Sequence, residues 1–286
     1  MLKEVKDLMP SWASAEQMGG CNLILSDDLD SLFSCIVLDQ LFGCKIEGFY
    51  DFKAINFKEE FLKNGSENTN LIGVDIDFAN NMKCFGNHVT QISTNDIRSN
   101  TANLNVINNV SARNYTDKFS GNTLMQILSL YNVDVEKWTD EQKLVLSCID
   151  SFFLPFTTKY ARFKSTQENY LKQLEQEHLG EFIVYYMDKY GEDIFKRIID
   201  KYKLKGKINL DFGTLNTNID LEGLSKLFNV PFLLPKNEFK PYKQYNTRYM
   251  DINNIKSSKD IVDKTNAKKI ISLAVTFRNS ISYTYK

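Results

Sequence analysis

The segment from Asn22 to Asp30, NLILSDDLD, constrains this chain more than any other. An apolar run, Leu23-Ile24-Leu25, ends in three carboxylates, Asp27, Asp28 and Asp30, and the next residues, SLFSCIVLDQLF, carry apolar side chains at helical spacing. The pattern predicts a buried strand running into a helix packed back onto it. The acids then stand at the C-terminal end of a strand beside a helix N-terminus, where open α/β sheets bind ligands. Carboxylates this close raise one another's pKa unless a cation or a hydrogen-bonding network compensates, and a divalent metal is the simplest compensation. A plainer reading competes: Ser26, Asp27 or Asp28 can cap the helix, and acids are favoured at helix N-termini. One cap accounts for one acid or two, so other segments have to decide.

With 286 residues, 43% of them hydrophobic, the chain can bury a large core and has the length of two ordinary domains. A formal net charge of −1 argues against gripping long nucleic acid by bulk charge, which needs clustered Lys and Arg. Short or small phosphorylated substrates remain open. Five cysteines, Cys21, Cys35, Cys44, Cys84 and Cys148, form no CxxC pair and lie in mostly apolar surroundings, as reduced core residues of a cytoplasmic protein do. The N-terminus lacks the continuous apolar stretch of a secretory signal, and no run reaches membrane-spanning length. His88 and His178 are the two histidines, too few for a multi-histidine site.

The first half alternates strand-like and helix-like segments, which predicts βαβ units and a parallel sheet. Strands are expected near 22–26, 45–50, 70–75, 88–92 and 104–108, with helices near 30–42, 56–63, 79–82, after Gly121-Asn122-Thr123, and from Asp140 to Asp150. The span 159–203 is charged and amphipathic and reads as connecting helices. Strand signals return in KINLDFGT, VPFLL, KIISLAVTF and SISYTY. The expected fold is α/β in two domains: residues 1–155 with a parallel sheet and flanking helices, a helical connector over 156–205, and a smaller α/β domain over 206–286.

Further segments repeat the acidic signature. In NLIGVDIDF an apolar strand ends in Asp75, with Asp77 two residues on; GNHVTQI brings Asn87 and His88; LVLSCIDSFF delivers Asp150 from an apolar helix. Each has a plain reading alone, since a lone His is more often a satisfied structural residue and Asp150 can cap the turn after it. In this order they resemble the DHH phosphoesterase superfamily, which includes RecJ-type exonucleases, nanoRNA and cyclic-dinucleotide phosphodiesterases, and family II pyrophosphatases. Ser26-Asp27-Asp28-Leu29-Asp30-Ser31 is similar to the first motif, Val74-Asp75 to the second, Gly86-Asn87-His88 to the third and SCIDSFF to the fourth. SGNTLMQILSLY is similar to the helix preceding the fourth motif, and LAVTFRNSISYTY to the closing strand pair of the associated C-terminal domain.

The resemblance implies one or two Mn²⁺ or Mg²⁺ ions held by Asp28, Asp30, Asp75, His88 and Asp150, a donor set suited to hard cations. Asp28, Asp75 and His88 would carry catalysis. Arg278, Asn122 and Asn87 would meet the substrate, with Lys268 or Lys269 near its phosphate and closure of the two domains around it. Asn105 and Asn108 are polar candidates for the same rim, explained equally by turns and caps. The substrate class is a short oligonucleotide, a cyclic or linear dinucleotide, or a nucleotide; homodimerisation is open. Two residues depart from the pattern: Ser26 stands where a metal-ligating His or Asp is usual, and Asn87 where the first His of the triplet falls. His178 lacks the glycines of the associated domain's signature. These departures support an alternative, a catalytically degenerate protein that binds a nucleotide or a protein partner without turnover. A third reading takes Asp75-Ile76-Asp77 as the nucleophile motif of haloacid-dehalogenase-type phosphatases, although Phe78 comes directly after it and two expected strands precede it.

Overall fold

The computed structural model describes residues 1–64, 70–79, 81–93, 96, 100–265 and 267–286. Among them, β1 (Asn22–Leu25), β2 (Lys45–Tyr50), β3 (Ala54–Lys58), β4 (Leu71–Val74), β5 (Lys83–Phe85) and β6 (Thr101–Ala102) arise early. Six more come after the central helices: β7 (Ile208–Asp211), β8 (Thr214–Thr217), β9 (Phe239–Gln244), β10 (Asn246–Asp251), β11 (Ile270–Phe277) and β12 (Ser280–Tyr285). The protein is α/β, built on a seven-stranded sheet in the order β6-β5-β4-β1-β2-β3-β9 with flanking helices. Strands β6, β5, β4, β1 and β2 run parallel; β3 pairs antiparallel with β2, and β9 pairs antiparallel with β3 at the edge.

β1 takes the centre through its apolar run: after Asn22, Leu23, Ile24 and Leu25 are fully buried, each contributing about 2 kcal/mol of apolar burial. The chain leaves β1 for β2 on one side and later fills β4, β5 and β6 on the other, so the strand order reverses between β1 and β4. Leu25 pairs with Val74 in register, which brings Ser26 and Asp75 side by side at the sheet's C-terminal edge. The Ser31 hydroxyl fixes that alignment, accepting from Ser26 N–H at 2.8 Å and donating to the Val74 carbonyl at 2.7 Å. The helix Leu29–Phe42 comes next, capped by Asp28 and ended by Gly43 in the left-handed region at φ 70°.

Several expected elements differ. Residues 56–63 split into β3 and the short helix Glu59–Lys63, since INFKEEFL satisfies both periods and the pairing of β3 with β2 on one side and with the distant β9 on the other decides. No strand forms over 88–92, and 104–108 holds the helix Leu104–Ile107, because Asn103 accepts from the N–H groups of Asn105 and Val106 as an N-cap. The helix expected at 79–82 falls partly on residue 80, outside the described residues; β5 starts at Lys83. VPFLL forms no strand. Connecting helices occupy Lys164–Gln173, Glu177–Tyr190 and Asp193–Tyr202. No helix among the described residues is long and apolar enough to cross a membrane.

The span after 206 divides its packing. β9 pairs with β3, and Ile208, Leu224, Phe232 and Phe239 are buried in the same core as Leu23 and Phe33. β10, β12 and β11 form a separate antiparallel sheet whose Leu273, Ile281 and Tyr283 pack with Val89, Ile92 and Val110. Both tryptophans, Trp12 and Trp138, belong to the large core or pack against it. Phe239→Ala is therefore expected to lower stability by about 3–5 kcal/mol and to shift the urea transition followed by tryptophan fluorescence. An unchanged fluorescence transition would mean that residues beyond 206 fold apart from this core.

Candidate functional site

Four carboxylates meet at the reversal point of the sheet. Asp28 and Asp30 come from the β1 turn and the first turn of the next helix, Asp75 from the end of β4, and Asp150 from the turn that ends the helix Asp140–Cys148. Asp28 and Asp150 both act electrostatically on Asp30 and on Asp75. The convergence expected from sequence is thus present for Asp28, Asp30, Asp75 and Asp150.

Each acid has its own environment. Asp30 is 1% exposed, and its two oxygens accept from the N–H groups of Thr123 (2.7 Å) and Leu124 (2.9 Å) at the start of the helix Thr123–Leu130. Burial pushes its pKa well above the usual carboxylate range, the charges of Asp150 and Asp28 add to the rise, and the two N–H groups oppose it. Asp75 accepts from the Thr123 hydroxyl at 3.0 Å and from Ser26 Oγ at 3.5 Å, the outer limit of a bond. Burial raises its pKa strongly too, and the charges of Asp30, Asp28 and Asp150 add to it. Asp150 still meets solvent, although protein surrounds the cleft floor where it stands; burial and then Asp28 raise its pKa, against the Asn87 amide, His88 and Lys207. Asp75 (φ 56°) and Asp150 (φ 52°) both lie in the left-handed region, at about 1 kcal/mol or more each.

His88 and Asn87 take separate parts. The Asn87 amide donates to Gly121 O (2.8 Å) and Asp150 Oδ2 (2.9 Å), while its buried Oδ1 has no partner. His88 Nδ1 lies 3.3 Å from Asp77 Oδ2, whose carboxylate also accepts from Thr101 Oγ1, Asn103 Nδ2 and the His88 N–H. Burial works against protonation of His88; the bond to Asp77 and the charges of Asp77, Asp150 and Asp28 outweigh it, and its pKa rises. Asp77 thereby orients the imidazole, a role that sequence left unassigned. The room comes from Gly86, since a Cβ there would overlap the Asp77 carboxylate.

The remaining expected residues fall elsewhere. Asn122 is fully buried, caps the Thr123 helix and ties it to Leu146 O and Ile149 O, which positions Asp150 from behind. Asn105 is spent on the backbone of Asn87 and Phe119, and Asn108 on Leu104 O and Gln173. Arg278 lines a separate cleft with Arg113 and Lys256. Lys268 and Lys269 are exposed at the start of β11. Sequence missed Lys207, whose Nζ lies 3.0 Å from Asp27 Oδ1 and 3.1 Å from Asp28 Oδ2. The ion pair shows on the lysine, whose pKa rises although burial opposes it; Asp27's own burial outweighs the lysine's pull, and its pKa rises as well. Beside Asp150 opens a cleft of about 380 Å³ lined by Tyr115, Lys118, Tyr160, Phe163 and Phe277.

Among the described residues no three His, Cys, Asp or Glu side chains already stand as a set that could hold an ion. The donors fit one hard cation in chemistry rather than in finished geometry: Asp75 and Asp150 have no direct ion-pair partner among the described residues, and the Asn87 Oδ1 is an orphaned oxygen on a residue bonded to Asp150. Asp30 fits less well, both oxygens being engaged by the helix N-terminus. Compared with known proteins, the chain matches no family model, no curated protein and no solved structure.

The electrostatics and the packing can each be tested. Asp30, Asp75 and His88 all bind protons more readily folded than unfolded, so the stability each contributes is present below its unfolded titration range and is lost as pH rises through its raised one. Asp75→Asn is expected to flatten the fall in melting temperature between pH 4 and 8; a variant slope equal to wild type would remove Asp75 from the strained set. Gly86→Ala is expected to cost about 1–3 kcal/mol in urea denaturation, with most of the penalty absent in an Asp77→Ala background.

Proposed function

We propose that this chain is a divergent DHH-type phosphoesterase whose acid cluster binds Mn²⁺ or Mg²⁺ and which cleaves a phosphate ester of a short oligonucleotide, a dinucleotide or a nucleotide. One observation carries the reading: carboxylates from three separated stretches converge, under-neutralised, at the topological switch point of a mostly parallel sheet. Asp75 and Asp150, with Asn87 Oδ1 and Asp28 beside them, would hold the ion, which when bound neutralises charge on a phosphoryl group as a Lewis acid. His88, oriented by Asp77 and raised toward protonation, is suited to hold a proton for the leaving oxygen. The aromatic cleft beside Asp150 suits a stacked base, and Lys118 an attached phosphate. Five buried, unpaired cysteines agree with a reducing, cytoplasmic setting; as to assembly, a homodimer is compatible with this reading.

A second reading, binding without turnover, draws on Lys207, which supplies positive charge to Asp27 and Asp28 without any metal, and on Asn87 in place of an imidazole. Incubation of the protein with Mn²⁺ and a 5′-phosphorylated diadenylate or a five-nucleotide RNA separates the two. Phosphoester cleavage is expected to yield mononucleotides, and Asp75→Asn to slow it by roughly 100-fold or more. Equal turnover in wild type and Asp75→Asn would overturn the proposal. Mn²⁺-independent binding without cleavage would favour the second reading.

A further inference from the structure

The acid cluster contains a cation of its own, and that cation is built in rather than draped over the surface. Lys207 bridges Asp27 Oδ1 and Asp28 Oδ2 across some 180 residues of sequence. Its backbone is pinned on both sides: the Lys207 carbonyl accepts from Thr217 Oγ1 at 2.9 Å and from Asn209 Nδ2 at 3.4 Å, and the next N–H, of Ile208, donates to Asp27 O at 2.7 Å. Gly206 just before it has no room for a side chain, since a Cβ would overlap Asn218 and Ile219. The lysine therefore enters the site from a fixed point at the start of β7. Its side chain is 54% exposed, so it faces the solvent side of the cluster, from which a ligand arrives.

A direct ion pair forms on one side of the cluster only, although Lys207 and His88 also act on Asp150 at longer range. Asp27 and Asp28 share the ammonium. Asp75 has hydroxyl partners alone, Asp150 has one amide, and Asn87 Oδ1 has none. A divalent ion placed between Asp27 and Asp28 would meet the ammonium at hydrogen-bond range and would have to expel it. An ion on the side of Asp75 and Asp150 would meet carboxylates and an unpartnered amide oxygen.

We propose that Lys207 holds the place of a second divalent ion, so that the cluster takes one ion beside Asp75, Asp150 and Asn87 and offers the lysine ammonium to the anionic group of the ligand. This rests on the proposed function, in which the cluster binds a divalent cation. A lysine merely latching the β7–β8 hairpin to the β1 turn would affect stability and leave ion binding alone.

Calorimetric titration with Mn²⁺, paired with spin-resonance counting of free ion, tests it on the full chain. Wild type and the charge-keeping Lys207→Arg are expected to bind one equivalent. Lys207→Met, which retains most of the stem and loses the charge, is expected to bind a second equivalent, with melting curves recorded to confirm that it folds. Lys207→Met that binds one equivalent within twofold of the wild-type affinity overturns the role of the lysine while leaving the cation reading intact, and so does a wild type that binds two. Absence of Mn²⁺ from wild type together with its capture by Lys207→Met upholds the exclusion by lysine and sinks the metal-dependent activity. No binding by either protein overturns both.

Discussion

The bond between the Asp30 carboxylate and the first N–H groups of the Thr123–Leu130 helix is the interaction on which the remaining geometry rests. It joins the turn after β1 to a helix more than ninety residues on, through a side chain that is almost wholly buried. A carboxylate removed from water is costly unless donors and a favourable dipole receive it, and a helix N-terminus provides both. From the same helix start, Thr123 Oγ1 reaches Asp75, and Asn122 reaches the carbonyls before Asp150. One helix terminus thus locates three of the clustered acids. It does not neutralise them, which is why Asp30 and Asp75 still hold protons so readily.

What the sequence made legible is what is local. An apolar strand leading into acids is a pattern of a few residues, and it located Asp28, Asp30, Asp75 and Asp150 because β1, β4 and the Asp140–Cys148 helix each end where their apolar runs end. The same reasoning failed where distant pairing decides. β3 and β9 find each other across about 180 residues, so INFKEEFL could not be split by its own periodicity. Asn103 turned an expected strand into a helical turn with one side-chain oxygen. The exchange between Gly86 and Asp77 is legible only in space: a missing side chain at one position admits the carboxylate of another. Lys207 belonged to a segment read as part of the smaller domain, with nothing in its neighbours to point at Asp28.

The uneven compensation of the cluster limits what it can receive. Two unit charges 4 Å apart interact by roughly 4 kcal/mol at an effective dielectric of 20, so a phosphate approaching several ionised carboxylates is repelled by more than a hydrogen bond or two returns. An anionic ligand can therefore be held only where positive charge stands between it and the acids. Lys207 meets that requirement at Asp27 and Asp28; at Asp75 and Asp150 no lysine or arginine makes an ion pair among the described residues. Repulsion there falls when the two acids acquire either a cation or protons, and in the second case the ligand they suit is neutral. Protonated acids could donate hydrogen bonds to a neutral base or sugar, but they could not lower the charge barrier to attack on a phosphoryl group. Under the proposed function, phosphate chemistry at this site calls for the ion, and the partner of an ion-free form would be one that brings no phosphate to Asp75 and Asp150.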